Sequence, residues 1–370
     1  MSLPVYIAGS ATFLPGNKVP FDEIETFLGE LTEAPLSIRR WISATHPVMK
    51  ELLDVKYFHY AIDPHTREFT EDNITMSVKA ANAALDSAGL RPQDIDLICY
   101  GSPHQDQMPT ASVRIQEALG IETCDELSIH ANCTSAYKAL YLAHTLIGAG
   151  KNRNALVVSS NMASSQLRAE YYNQKLVDKE SLFLRWFLCD GAGAVILTKD
   201  RNRSNGFGVE YTFIESIGGK KPSLMFDKRP ALWLNPKVEF EKGLHHVRQN
   251  FRNELGTSSF QEKDGSVFFN GLRRMLGECN VPPETIRYLQ VNMPARHIVD
   301  SIKDECLTIG IKPNAFYTRL DTLGYCGPPM ALIGLDNIIR GEKFSKGERI
   351  ASFATEASKF MQAGYVIRYE

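Results

Sequence analysis

The chain has 370 residues, 44% hydrophobic and 23% charged, which is an ordinary globular composition with material for a large core. A net charge of −2 leaves no basic footprint for nucleic acid or an anionic membrane surface, and no run approaches the roughly 18 apolar residues of a spanning helix. Seven dispersed cysteines (99, 124, 133, 189, 279, 306 and 326), with no C-x-x-C among them, predict reduced thiols in a cytoplasmic protein and exclude a disulfide scaffold or zinc site.

The opening MSLPVYIAGS lacks the charged and apolar regions of a secretory signal. Residues 5–10 read as a strand, followed by an LPG turn and a helix over 21–31. The stretch 34–66 reads as irregular. Within it, PLSIRRWIS presents Arg39, Arg40 and Trp41, which suit a nucleotide or phosphate-bearing arm or, at least as well, a solvated basic turn with one packed Trp. A helix over 72–88, a P-Q-D turn, the strand IDLICYG (95–101) and a short helix over 112–119 follow. Leu127 to Asn132 alternates in type and predicts a short buried strand. Small residues surround Cys133, and an apolar helix starts at Ser135. Such a strand-to-helix turn holds its residue at the sheet edge over the free N–H groups of the first helical turn. The positive helix end favours a thiolate and offers an amide to an oxyanion. A buried core cysteine is the plainer alternative. NALVVSSN (154–161) reads as a buried strand, 165–186 as an irregular amphipathic excursion, and CDGAGAVILT (189–198) as a Gly-rich turn and strand. Because DGAGA precedes a strand and not a helix, it makes a poor phosphate cradle.

After the polar linker 199–206 the chain begins again. ALDSAGLRPQDIDLICYGSP (84–103) matches MLGECNVPPETIRYLQVNMP (275–294) at a constant offset of 191. The helix ALYLAHTLIGAG (139–150) parallels ALIGLDNIIRGE (331–342), and NALVVSS parallels ERIASFA. The self-similarity predicts an α/β chain of two duplicated βα halves, 1–200 and 207–370, with parallel sheets covered by helices. LGYCGPPM (323–330) is the counterpart of the Cys133 turn, so two facing elbows would gather Cys133, the 292 region and the 325 region around one pocket. The adjacent histidines at 245–246 point apart on a helix and make no metal site.

A duplicated α/β chain with a cysteine at its first elbow resembles the thiolase superfamily, and within it β-ketoacyl-ACP synthase III and its acyltransferase relatives in natural-product pathways. The resemblance runs nearly end to end: VYIAGSATFLP, AALDSAGLRPQDIDLI, PTASVRIQEALGI, Cys133 with its helix, DGAGAVIL, LQVNMPARHI, LDTLGYCGPPMAL and the terminal YVIRY. It implies the thiolase fold with its layered α-β-α-β-α arrangement. It also implies a homodimer that pairs the strand after the cysteine helix (154–160) with its mate.

The family's cysteine works with a His and an Asn. By resemblance, the place of the His falls on Asn292 (Val291 if the loop shifts by one), and that of the Asn on Tyr325. The terminal Gly-rich loop that supplies an oxyanion-hole amide aligns with Ala357, Ser358 and Lys359, so the backbone donors are assigned to Cys133 and Ser358. Where some acyltransferase relatives carry an Asp, this chain has Met330. A neutral Asn cannot take the thiol proton, and a tyrosine with a reference pKa of about 10 is a poor base. Three histidines are candidate replacements: His130, His104 and His297. His130 lies three residues back along a strand, roughly 10 Å from Cys133. The other two sit in loops, and none of the three is expected to reach the sulfur directly.

The implied function is acyl transfer. An acyl carrier protein or CoA thioester would load Cys133, which would then pass the group to an amine, hydroxyl or thiol of a small-molecule acceptor. The alternatives are a catalytically silent subunit paired with an active homologue, and a decarboxylating ketosynthase with a replaced base. No cofactor, metal, nucleic acid or membrane is expected.

Overall fold

Ten strands hydrogen-bond into one sheet in the computed structural model, which describes residues 2–104, 108–175, 177, 179–227, 237, 249–251 and 261–370. The histidines at 245–246 lie outside the described residues. The strands are β1 (Tyr6–Phe13), β2 (Leu97–Ser102), β3 (Asp125–His130), β4 (Asn154–Met162), β5 (Asp190–Thr198), β6 (Phe207–Ser216), β7 (Ile286–Val291), β8 (Phe316–Tyr317), β9 (Arg349–Glu356) and β10 (Met361–Tyr369). Their order is β8-β7-β9-β10-β6-β1-β5-β4-β2-β3.

Inward from β3 there are two parallel pairings and then two antiparallel ones. Inward from β8 the same series repeats. The two series meet where β1 runs antiparallel to β6 through Tyr6↔Gly208 and Ile7↔Phe207. One strand pattern laid down twice is the duplicated architecture that the sequence periodicity predicts.

Helices cover and separate the strands: α1 (Leu36–Leu53), α2 (Asn73–Ala88), α3 (Ala111–Ala118), α4 (Ser135–Gly148), α5 (Val267–Glu278), α6 (Arg296–Leu307) and α7 (Met330–Gly341). In the middle layer Ala136, Leu140 and Ala143 of α4 share one apolar cluster with Ala331, Leu332 and Leu335 of α7. Strand residues of both halves, including Val157, Val195, Ile350 and Tyr365, complete that cluster. Two glycines let these helices close on the sheet. A Cβ at Gly101 of β2 would stand 2.4 Å from the Ser135 carbonyl oxygen, and one at Gly193 of β5 would stand 2.9 Å from the Leu332 Cβ.

Several expectations are corrected. The stretch 34–66, read as irregular, contains the 18-residue helix α1. Pro47 inside it masks the helical spacing of Ile38, Trp41, Ile42, Met49 and Leu53. Within that helix Trp41 packs on Phe183 and Trp186 at centroid distances of 5.4 and 5.7 Å while Arg39 and Arg40 are exposed, which is the packed-Trp alternative set on a helix and not on a turn. The excursion 165–186 contains four single-turn helices, the last of which buries Arg185 against Glu25 at 3.0 Å. DGAGA is strand from its first residue, and Asp190 accepts from the Ala61 and Ser164 amides and from Ser164 Oγ. The strand before Cys133 spans Asp125–His130 and is a half-exposed edge strand, not a buried one. The strand after the cysteine helix, β4, has both edges occupied, by β2 and β5. It cannot pair with a mate. On this side of the sheet the free edge is that of β3.

Candidate active site

The chain leaves β3 at His130, and the Ser135 amide donates to the Asn132 carbonyl at 3.0 Å to close the turn that carries Cys133. Thr134 caps α4 with helical backbone angles. Across the layer, the turn before α7 is pinned from two sides. The Cys189 amide donates to the Tyr325 carbonyl at 3.1 Å, and Asn161 Nδ2 donates to the Cys326 carbonyl at 2.9 Å. From this anchored backbone the Tyr325 hydroxyl donates to Cys133 Sγ at 3.3 Å, joining residues 192 apart.

Asn292 follows β7 and is 4% exposed, and its side-chain amide makes no short hydrogen bond among the described residues. It faces Tyr137 of α4, whose hydroxyl is bonded to Ser352 Oγ at 2.7 Å. Gln290, Asn292, Tyr325 and Met330 line a cavity whose water-accessible space is about 20 Å³. That is room for about one water molecule.

The terminal hairpin closes the site. Glu356, at the end of β9, reaches under the elbow, where its Oε2 accepts from the Thr134 amide at 3.0 Å and from Thr134 Oγ1 at 2.5 Å. Ser358 Oγ donates to its Oε1. The amide that reaches the Cys133 sulfur from this side is that of Ala357, the residue before Ser358. The expectation that the helix end would favour a thiolate is corrected. Burial first, and the Glu356 carboxylate second, push the Cys133 thiol up to about 11, against the hydrogen bond from Tyr325 and the amides of Cys133 and Ala357.

The three histidines are engaged elsewhere. His130 donates through Nε2 to the Pro103 carbonyl at 3.1 Å. His297, on α6, donates through Nδ1 to the Leu52 carbonyl at 3.0 Å. His104 is buried with Nε2 2.9 Å from Asn161 Oδ1, while Gln166 Nε2 donates to its Nδ1 at 3.0 Å. Because Asn161 Nδ2 is committed to Cys326, its oxygen must accept from His104. The His104 Nδ1 lone pair is therefore already used.

Sequence reasoning missed two contributors. Tyr137 had a readable signal: it lies four residues after Cys133, in the first turn of the helix that the cysteine precedes. Glu356 had a weaker one, an acid ending the otherwise apolar run IASFAT. Among the described residues no group of three His, Cys, Asp or Glu side chains is placed to hold a metal, and no helix is long and apolar enough to cross a membrane.

Known proteins of the same shape share this arrangement of halves. Residues 127–214, which carry the elbow and its helix, match the family described as 3-oxoacyl-[acyl-carrier-protein (ACP)] synthase III. A β-ketoacyl-[acyl-carrier-protein] synthase III of Clostridium perfringens (strain SM101 / Type A) is 26% identical over 345 residues, 93% of each chain. Among solved structures, the tetronic acid condensing enzyme AbyA1 superposes with a TM-score of 0.76 at 18% identity, covering 98% of this chain and 99% of its own. The 3-oxoacyl-[acyl-carrier-protein] synthase III of Aquifex aeolicus VF5 superposes with a TM-score of 0.74 at 19% identity, covering 99% of this chain and all of its own.

Proposed function

We propose that this chain, a β-ketoacyl-ACP synthase III-like protein of the thiolase superfamily, is an acyltransferase that works through an acyl-Cys133 intermediate. Its relatives carry out acyl-transfer and condensation chemistry. The finer reading rests on one observation: the Cys133 sulfur lies at a strand-to-helix turn 3.3 Å from the Tyr325 hydroxyl, which donates to it.

In the first step the sulfur attacks the thioester carbonyl of an acyl carrier protein or acyl-CoA. The new S–C bond forms, the donor's C–S bond breaks, and the thiol proton leaves with the departing carrier sulfur. Tyr325 donates to the sulfur, the amides of Cys133 and Ala357 face it, and Asn292 offers its Nδ2 to the acyl oxygen. In the second step an amine, hydroxyl or thiol takes the acyl group and returns a proton to Cys133. An acceptor that loses its proton readily suits a site without a free histidine. Decarboxylative condensation suits it less, because Asn292 and Tyr325 stand where the resemblance puts His and Asn.

The test is intact-protein mass spectrometry after exposure to a panel of acyl-CoA and acyl-ACP thioesters. A mass increment of one acyl group, absent in Cys133→Ala, is the expected result. The second reading is a catalytically silent partner of an active homologue, and the small cavity beside Asn292 favours it. No increment with any donor, together with co-purification of an active homologue, would establish that reading. We also propose a homodimer joined at the free edge of β3, in place of the occupied β4.

A further inference from the structure

Glu356 is a carboxylate with 1% of its surface exposed, and all of its hydrogen bonds come from neutral donors in Thr134 and Ser358. No lysine, arginine or histidine among the described residues forms an ion pair with it. Its nearest positive counterpart is the front of α4, because the amide it occupies is that of Thr134, the residue after Cys133. That amide belongs to the positive helix end that would otherwise stabilise a Cys133 thiolate. A second negative charge beside a buried carboxylate is disfavoured.

We propose that Glu356 is a positioning residue that ties the nucleophile turn to β9 and takes the front of α4 for itself, so that Cys133 rests as the neutral thiol. The idea rests on the reading of Cys133 as the nucleophile and adds how its reactivity is set. A thiol held in this way resists alkylation and oxidation until a thioester is in place, since the thiolate is the reactive form. The titratable groups facing the sulfur are Tyr325 from the turn before α7, Tyr137 from α4 itself and Glu356 from β9.

The experiment is the pH profile of iodoacetamide alkylation at Cys133, read by peptide mass spectrometry from pH 6 to 11. Cys124 serves as the internal reference, because its thiol is also pushed up to about 11, by burial and then by Asp125, Glu126 and Asp96. Glu356→Gln keeps the size and an acceptor oxygen but removes the charge. Glu356→Met replaces the buried charge with an apolar side chain of similar volume, a change that is often tolerated. In either folded variant the Cys133 midpoint should fall by a unit or more, so that its rate at pH 7 rises about tenfold, while Cys124 does not move. An unmoved midpoint in a folded variant overturns the proposal. So does a wild-type midpoint at or below that of free cysteine, whether or not the variants fold. A shifted alkylation midpoint without acylation by any thioester would leave Glu356 in this role and defeat the acyltransferase reading alone.

Discussion

Tyr325 donates a side-chain hydrogen bond to the sulfur, and such a bond strengthens as charge gathers on the acceptor. Tyr325→Phe should therefore slow acylation of Cys133 by roughly tenfold, leaving the melting temperature within a few degrees of wild type. Stopped mass-spectrometric time courses at fixed donor concentration would measure it, and an unchanged rate would remove Tyr325 from the site. Asp190 makes a different kind of prediction. Both of its oxygens accept from N–H or O–H donors, so an asparagine in either orientation must turn its NH₂ toward a donor. Asp190→Asn should cost about 1–3 kcal/mol, read as a lower urea midpoint. The cysteines set an alkaline limit. Burial pushes the thiols of Cys99, Cys189 and Cys306 up to about 12, and burial with Glu356 pushes Cys133 up to about 11, from the ordinary 9.0. The folded state holds these protons more tightly than the unfolded one. Their contribution is complete below pH 9 and declines as pH rises through 11 to 12. Urea midpoints at pH 7, 9, 10 and 11 should be level at first and then fall.

At the scale of elements, the elbow depends on how closely β2 approaches α4. A Cβ at Gly101 would meet the Ser135 carbonyl oxygen at 2.4 Å and its carbon at 2.6 Å, and neither can swing aside because both are backbone. Gly101→Ala should cost roughly 2 kcal/mol or more and shift the turn that carries Cys133. Acylation should then fall further than in Gly277→Ala, where a Cβ meets nothing within 4 Å. Comparing the two variants separates helix displacement from a generic glycine effect. The same elements show what a sequence can be made to say. Period-two and helical spacings identify β2, β4, α2, α4 and α7, because those patterns are uninterrupted. They fail at α1, where Pro47 breaks the visible spacing of a helix whose packing tolerates it. They also fail at β3, where alternation alone does not separate an edge strand from a buried one. Glu356 escaped for another reason: its partner Thr134 lies 222 residues away, and no local pattern encodes such a pairing. Cys133, Asn292 and Tyr325 were singled out by elbow geometry and resemblance, whereas the neighbours that tune them become visible only in the assembled chain.

For the whole molecule, the sheet has one long open edge on the amino-terminal side, that of β3, and an unpaired edge invites a second copy. Light scattering behind size exclusion should give twice the chain mass, and a single-chain mass at micromolar concentration would rule out the homodimer. The order of strands also has a consequence in time. The cysteine turn is complete in sequence by residue 135, yet Tyr325, Glu356 and the amide of Ala357 emerge from the ribosome some 190 residues or more later. Strand β10 is inserted between β6 and β9, so the carboxy-terminal half cannot close until residues 361–369 have been made. A nascent or truncated chain thus carries the thiol without the groups that regulate it. The site is completed only as a late event of biogenesis, and a stop codon anywhere before residue 356 would yield a protein without the tie from Glu356 to Thr134.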